Sequence, residues 1–223
     1  MTISTEQKII DTWNKNAGPW IRAVQEEQIE SRKLVTNQAI IEMILRYRPN
    51  TVLDLGCGEG WLARQLAMHG IRVLGVDVIP ALIEGAKKLG GGEFAVYSYE
   101  QIANGSLEKQ FDAVVCNFSL LGKESVDQLL GRVPTLLNAN GYLFIQTLHP
   151  LMACGGAPYQ DGWRDGSWAG FSTDFSDPAP WYFRTMAAWI KLFHESKLTL
   201  VELLEPLHPQ TGKPVSLLLV GEK

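Results

Sequence analysis

The chain has 223 residues, 46% hydrophobic and 20% charged, with a formal net charge of −4, which suits one sizeable globular domain over 1–223. It has no dense Lys/Arg run, so no electrostatic nucleic-acid footprint is visible, and no apolar segment long enough for a signal peptide or a membrane span. Three cysteines, Cys57, Cys116 and Cys154, are odd in number and far apart, which argues against a disulfide framework or zinc site and fits a reducing cytoplasm.

Residues 1–48 read as a helical cap. Ile9, Ile10 and Trp13 recur at helical spacing, Gly18-Pro19 is expected to break that helix, and Trp20, Ile21 and Val24 open another pattern. A third runs from Leu34 to Ile44, with Ser31 or a neighbour as its cap, before Pro49-Asn50.

The stretch Val52-Leu53-Asp54-Leu55-Gly56-Cys57-Gly58-Glu59-Gly60 then reads as strand, tight loop and helix start. Glycines at alternate loop positions permit positive φ and bring the backbone close to a ligand, at the positive end of the following helix. The spacing of Gly56, Gly58 and Gly60 is G-x-G-x-G, whereas a pyrophosphate-binding loop uses G-x-G-x-x-G. Asp54 at the lip of that loop would repel a phosphate and attract an ammonium group. This stretch resembles the first signature of the class I S-adenosylmethionine-dependent methyltransferases. The resemblance implies S-adenosyl-L-methionine as cofactor and a Rossmann-like, seven-stranded, mostly parallel sheet with an antiparallel last strand and helices on both faces. In that family N-terminal helices lie over the cofactor, so Trp13 and Trp20 are open to packing or site roles.

After the loop, Leu62, Ala63, Leu66 and Ala67 mark a helical face that Gly70 ends. A strand over 71–76 leads to Asp77 and Val78, about twenty residues past the loop, where a ribose-binding carboxylate is expected. Pro80 opens a helix running to about Lys88. A third strand over 93–97 ends at Ser98, Tyr99 and Glu100. The resemblance puts an adenine contact at Ser98, although many relatives carry an acid there, and Tyr99 is the alternative neighbour of the base. A fourth strand over 111–116 ends in Asn117 and Phe118, which the resemblance places at the cofactor and near the reacting sulfur. Asn117 is not followed by Pro-Pro-aromatic, which counts against a nucleic-acid amine as acceptor.

A helix over 123–138, irregular at Pro134, precedes a turn at Asn140-Gly141 and a fifth strand over 142–148. Strands over 198–204 and 215–220 close the sheet as a hairpin. Between the fifth strand and that hairpin lies an aromatic-rich insertion over 151–182 without clear period, read as tightly packed loop or as a lid over the acceptor. A helix is expected over 183–195. Trp163, Trp181, Tyr182 and Arg184 are the candidate acceptor contacts, with Tyr182 and Arg184 able to orient an acidic group. His149, at the end of the fifth strand, is the candidate acid–base residue or else a structural histidine. Among His69, His149, His194 and His208 no metal-ligand spacing stands out, so no metal is expected.

Within class I the order of motifs looks like the small-molecule, type 11/12 and ubiquinone-biosynthesis groups. There an arginine upstream of the first strand holds the methionine carboxylate. Arg32 stands at a comparable place, with a solvated surface arginine as the alternative. The function implied is in-line methyl transfer to a small-molecule acceptor. A nicotinamide-dependent oxidoreductase or a non-catalytic cofactor-binding module are the alternatives.

Overall fold

The computed structural model describes residues 4–223. A helix over Thr5–Gln25 (α1) is followed by a π-helical turn, Arg32–Thr36, that runs directly into a helix over Asn37–Tyr47 (α2). Strand and helix then alternate: Thr51–Leu55 (β1), Trp61–Ala67 (α3), Arg72–Asp77 (β2), Pro80–Leu89 (α4), Glu93–Val96 (β3), Tyr99–Ala103 (α5), Phe111–Asn117 (β4), Glu124–Leu136 (α6) and Leu137–Leu148 (β5). A short helix Pro150–Ala153 (α7), strands Gly162–Arg164 (β6) and Trp181–Phe183 (β7), helix Met186–Glu195 (α8) and strands Thr199–Leu204 (β8) and Ser216–Glu222 (β9) complete the chain. Among the described residues no helix is long and apolar enough to cross a membrane.

The seven-stranded sheet runs β3-β2-β1-β4-β5-β9-β8. Strands β1 to β5 pair in parallel, and the last strand, β9, is antiparallel to both β5 and β8. The sheet is thus Rossmann-like with an antiparallel last strand, as the motif order implies. Val52, Leu53 and Leu55 are all fully buried, because helices cover both sides: α2, α3 and α4 on one, α5, α6 and α8 on the other. Parallel strands buried on both faces read as continuous apolar runs, which is why these segments were legible. The chain reverses direction across the sheet between β1 and β4, and a crevice opens at their C-terminal ends.

Three expectations about elements are corrected. Gly18-Pro19 does not break the first helix: α1 continues through Pro19 to Gln25. Proline forfeits the bond to the Lys15 carbonyl, but Lys15 is on the solvent side and water can serve that group. Packing holds the helix together instead, because Ala17, Trp13, Trp20 and Ile21 form one cluster with Ile79 and Leu82 at the start of α4. Secondly, α8 begins at Met186, since Trp181–Phe183 pairs with Gly162–Arg164 as a hairpin and Thr185 caps the helix by accepting from the Ala188 N–H. Thirdly, β5 starts at Leu137. Its register against β4 shifts between Phe111 and Ala113, and Asn140 takes a φ of 60° there.

One carboxylate fastens β1, β4 and β5 below the crevice. Asp112 Oδ2 accepts from the Asn50 and Thr51 N–H groups and the Thr51 hydroxyl, each at 3.0 Å, and Oδ1 accepts from Asn138 Nδ2 at 2.8 Å. Burial alone would raise its pKa, but the donors from Asn138, Thr51 and Asn50 together hold it below the ordinary value. A carboxylate depressed in the folded state stabilises above its unfolded pKa and loses that contribution as pH falls through the folded one. Asp112→Ala is therefore expected to cost about 1–3 kcal/mol at pH 7, with the two proteins converging in acid. Urea denaturation at both pH values checks this.

Candidate active site

The loop after β1 turns its donors inward. Gly56, Gly58 and Gly60 take φ values of 76°, 56° and 81°. Gly56 has no alternative, since a Cβ there would lie 2.4 Å from Ser119 Cβ and 2.8 Å from Tyr99 Oη. The Gly56 and Cys57 N–H groups both donate to the Val76 carbonyl, at 2.8 and 3.0 Å. Gly58 N–H donates to Asp77 Oδ2 at 3.0 Å, and Gly60 N–H to the Cys57 carbonyl at 3.1 Å. At the head of α3 stands Glu59, only 1% exposed; its carboxylate pairs with Arg64 at 2.6 Å. Burial raises the Glu59 pKa, against the pull of Arg64. A helix N-terminus is an anion site, and here the protein's own carboxylate fills it. The loop is not a phosphate cradle.

Acids and orphaned acceptors surround the loop instead. Asp77 lines the cavity and is held by Gly58 N–H and by Ile79 N–H at 2.9 Å; burial raises its pKa and these N–H donors oppose the rise. Each carboxylate oxygen keeps lone pairs for a ligand. Asp54 is 2% exposed behind the loop, its Oδ2 without a partner; burial first, then the Asp77 charge, push its pKa up to about 7. Asn117 Oδ1 and Thr36 Oγ1 are also buried without partners, and both residues line the cavity. Buried acceptors of this kind call for a ligand that brings donors or positive charge. Facing them is Arg32, whose Nε donates to Asn37 Oδ1 at 3.1 Å and whose guanidinium lies 4.9 Å from the Trp61 ring. Burial lowers its pKa to about 10, with Glu59 acting against that.

The cavity has a volume of about 720 Å³ and runs from these groups to the ends of β4 and β5, in the range of small-molecule sites. Its roof is made by α1 and the insertion together. Trp13 meets Trp168 edge-on, and Trp20 lies 6.3 Å from Phe171. Asn16 and Ser176 exchange two hydrogen bonds, and Arg22 pairs with Asp174 at 2.7 Å and Lys15 with Asp177. Trp13 and Trp20, open in the sequence, therefore both line the cavity. Phe118 lines the far end at a φ of 55°, its N–H donating to the Gln146 carbonyl at 2.7 Å. Left-handed backbone at a bulky residue costs about 1–3 kcal/mol and marks functional sites.

Of the candidates named from sequence, Arg32, Gly56, Gly58, Asp77, Val78, Ser98, Tyr99, Asn117, Phe118, Trp181, Tyr182 and Arg184 line this one cavity. Others lie outside its walls. Asp54 sits beneath the loop, and Gly60 is a packing glycine whose Cβ would lie 2.8 Å from the Phe94 ring. Trp163 backs Tyr182, ring to ring at 5.5 Å, rather than lining the space. His149 also points elsewhere: it is 4% exposed, with Nε2 2.6 Å from Glu205 Oε1 and Nδ1 buried without a partner. Leu148 and Pro150 line the cavity.

Three further expectations change in detail. The Ser98 hydroxyl accepts from the Gln101 N–H, and the Gln101 side chain accepts from the Ser98 N–H, so both groups are committed to capping α5. Tyr99 lies under the glycine loop, with Oη donating to the Ser119 carbonyl at 3.2 Å; burial raises its pKa well above the ordinary value. Arg184 is neutralised already, by Asp127 at 2.8 Å. Sequence reasoning missed Glu59, Thr36 and Ser119. Glu59 alone carried a signal, an acid between the last two glycines of the loop.

A mostly parallel α/β sheet thus opens at its switch point onto a glycine loop ringed by carboxylates, beside a cavity of small-molecule size. Residues 29–203 match the family model described as a methyltransferase domain, and the chain belongs to that family. A malonyl-[acyl-carrier protein] O-methyltransferase of Legionella pneumophila is 27% identical, covering 67% of this chain and 52% of that protein. A ubiquinone biosynthesis O-methyltransferase of Xanthomonas axonopodis is 31% identical over 44% of this chain and 43% of its own length. The chain spans about half the length of these curated relatives. The same fold is seen in a Burkholderia thailandensis 1,6-didemethyltoxoflavin-N1-methyltransferase crystallised with 1,6-didemethyltoxoflavin and S-adenosylhomocysteine. It matches with a TM-score of 0.67 at 19% identity, covering 100% of this chain and 92% of that one.

The buried acid gives a test in the protein without ligand. A carboxylate whose folded pKa is raised from 3.8 to about 7 destabilises the fold increasingly as pH climbs between those values, then levels off. The full displacement corresponds to about 4 kcal/mol. Asp54→Asn is expected to raise the melting temperature at pH 8, and the gain should shrink toward zero by about pH 4. Thermal unfolding across that range checks the sign.

Proposed function

We propose that the protein is an S-adenosylmethionine-dependent methyltransferase acting on a small-molecule acceptor in the cytoplasm. The observation that carries the reading is Glu59 at the head of α3. With that anion position filled from within and Asp77 and Asp54 beside the loop, a cationic nucleoside without phosphates fits and a dinucleotide does not. Family membership supports the same reading.

When bound, the cofactor supplies an electrophilic methyl group on a sulfonium. The chain's own residues bind, orient and exclude water. Asp77 accepts from ribose hydroxyls with the lone pairs its backbone donors leave free. Arg32 pairs with the methionine carboxylate, and the unpartnered Asn117 Oδ1 accepts from the ammonium group. Asp54 contributes charge from behind the loop. The roof of α1 and the insertion keeps water from the reacting atoms and moves as a lid when acceptor enters. No side chain at the far end is assigned as a general base. Alignment is the main device, and the acceptor's own protonation state decides how much more is needed.

Calorimetric titration with S-adenosylhomocysteine and, separately, NADH tests the reading: binding of the first and none of the second is expected. Asp77→Ala should weaken S-adenosylhomocysteine by at least about tenfold, or ~1.4 kcal/mol. Unchanged affinity would remove Asp77 from the site. Incubation with labelled S-adenosylmethionine and a metabolite extract then identifies what gains the methyl group.

A further inference from the structure

The far end of the cavity has an unusual electrostatic character for a place that must select a ligand. Two charged side chains reach it, Glu6 and Arg184, and both are occupied. Arg184 donates through Nη1 to the Gly122 carbonyl at 2.9 Å, and through Nη2 to the Lys123 carbonyl at 3.1 Å and to Asp127 Oδ1 at 2.8 Å. Its guanidinium is also held between rings, 5.0 Å from Tyr182 and 5.3 Å from Trp189. Glu6 Oε1 accepts from the Lys123 N–H at 2.7 Å and the Ser125 N–H at 3.3 Å, which satisfies the first turn of α6. Both residues thus bind the loop after β4 to its neighbours. Arg184, paired with Asp127, offers an incoming anion no free charge, and Glu6, held by backbone donors alone, repels one.

The remaining walls are rings and neutral groups. Phe118, Trp181 and Tyr182 line this end, with Ser125 and Thr147 as neutral hydrogen-bonding partners. The rings are fixed from behind: Trp163 meets Tyr182 at 77° and Phe183 meets Trp181 at 69°, while the Tyr182 N–H donates to the Leu121 carbonyl at 2.8 Å. Rigid aromatic walls reward a flat guest with stacking as well as area, whereas a puckered guest of the same size gains area alone. A carboxylate or phosphate entering the same space loses water and meets no free counter-ion.

Resting on the methyltransferase reading above, we propose that the acceptor is an uncharged, planar aromatic or heteroaromatic molecule, held between Phe118 and the Trp181–Tyr182 pair. Its polar substituents are neutral hydroxyl, carbonyl or ring-nitrogen groups. This reverses the expectation that Arg184 would orient an acidic acceptor. The structure makes Asp127, outside the cavity wall, the residue that sets this charge preference by neutralising Arg184.

The test uses the full chain saturated with S-adenosylhomocysteine and three probes of one size: 2-naphthol, 2-naphthoate and trans-2-decalol, titrated by calorimetry at pH 7. Binding of 2-naphthol about tenfold tighter than 2-naphthoate is expected, and about threefold tighter than trans-2-decalol. Asp127→Asn should move the ratio toward 2-naphthoate by about threefold or more, because Arg184 loses its partner. Equal or tighter binding of 2-naphthoate to the wild type overturns the charge argument. Equal binding of trans-2-decalol overturns the planar one, and binding of none of the three overturns both. Failure of S-adenosylhomocysteine itself to bind is a separate result, and it overturns the methyltransferase reading together with this one.

Discussion

The Val76 carbonyl, accepting the Gly56 and Cys57 N–H groups, is the constraint on which the site depends. It ties the loop after β1 to the end of β2, and Asp77, the next residue, completes the tie through Gly58. The backbone donors that such a loop would offer a phosphate are thereby used within the fold. What the loop presents is a close backbone surface and a set of acids, with Glu59 closing the helix N-terminus. Ligand selection at this end follows from where the loop's hydrogen bonds go, before any side chain contacts a ligand.

The electrostatic cost of that arrangement is substantial. Burial raises the pKa of both Asp54 and Asp77, and the Asp77 charge adds to the rise at Asp54, which is 2% exposed with one oxygen unpartnered. Arg32 is perturbed in the opposite sense at the same end of the cavity, since burial lowers a cation's pKa as it raises an acid's. Buried, imperfectly paired groups of both signs destabilise a fold on their own. A ligand carrying ammonium, carboxylate and ribose hydroxyls would relieve all of them together. Perturbed groups gathered in one cleft mark it physically as a candidate binding site.

How much of this the sequence disclosed depended on whether a feature was set locally. Strands β1, β2 and β4 were legible because burial on both sheet faces leaves uninterrupted apolar runs, and the loop because only glycine tolerates its φ values. Asp77 was legible by its distance from the loop. Features decided by tertiary contact were not. Pro19 has the local chemistry of a helix break, but packing on Ile79 and Leu82 overrides it. His149 stands outside the cavity wall, held by Glu205 just past β8, a long-range contact that no local pattern announces. The capping role of Ser98 was legible too, since Ser98-x-x-Gln101 is the pattern of a capping box. The hairpin of Trp181–Phe183 with Gly162–Arg164 has strands of three residues and a long connection, too little pattern for any periodicity to reveal.

Floor and roof of the cavity are held by forces of different strength. The floor rests on strands whose side chains are fully buried, so opening it requires unfolding the core. The roof is joined across its seam by Arg22–Asp174 and Lys15–Asp177, whose side chains are all more than half exposed. Such pairs contribute about 0–1 kcal/mol each. Stronger attachment comes from the Asn16–Ser176 bonds and from the cluster of Trp13, Trp168, Phe171 and Phe175. Trp13, Trp168 and Phe171 serve as packing for the insertion and as lining for the cavity at once. The aromatic surface that lines the roof side of the cavity is also what keeps the insertion packed on α1.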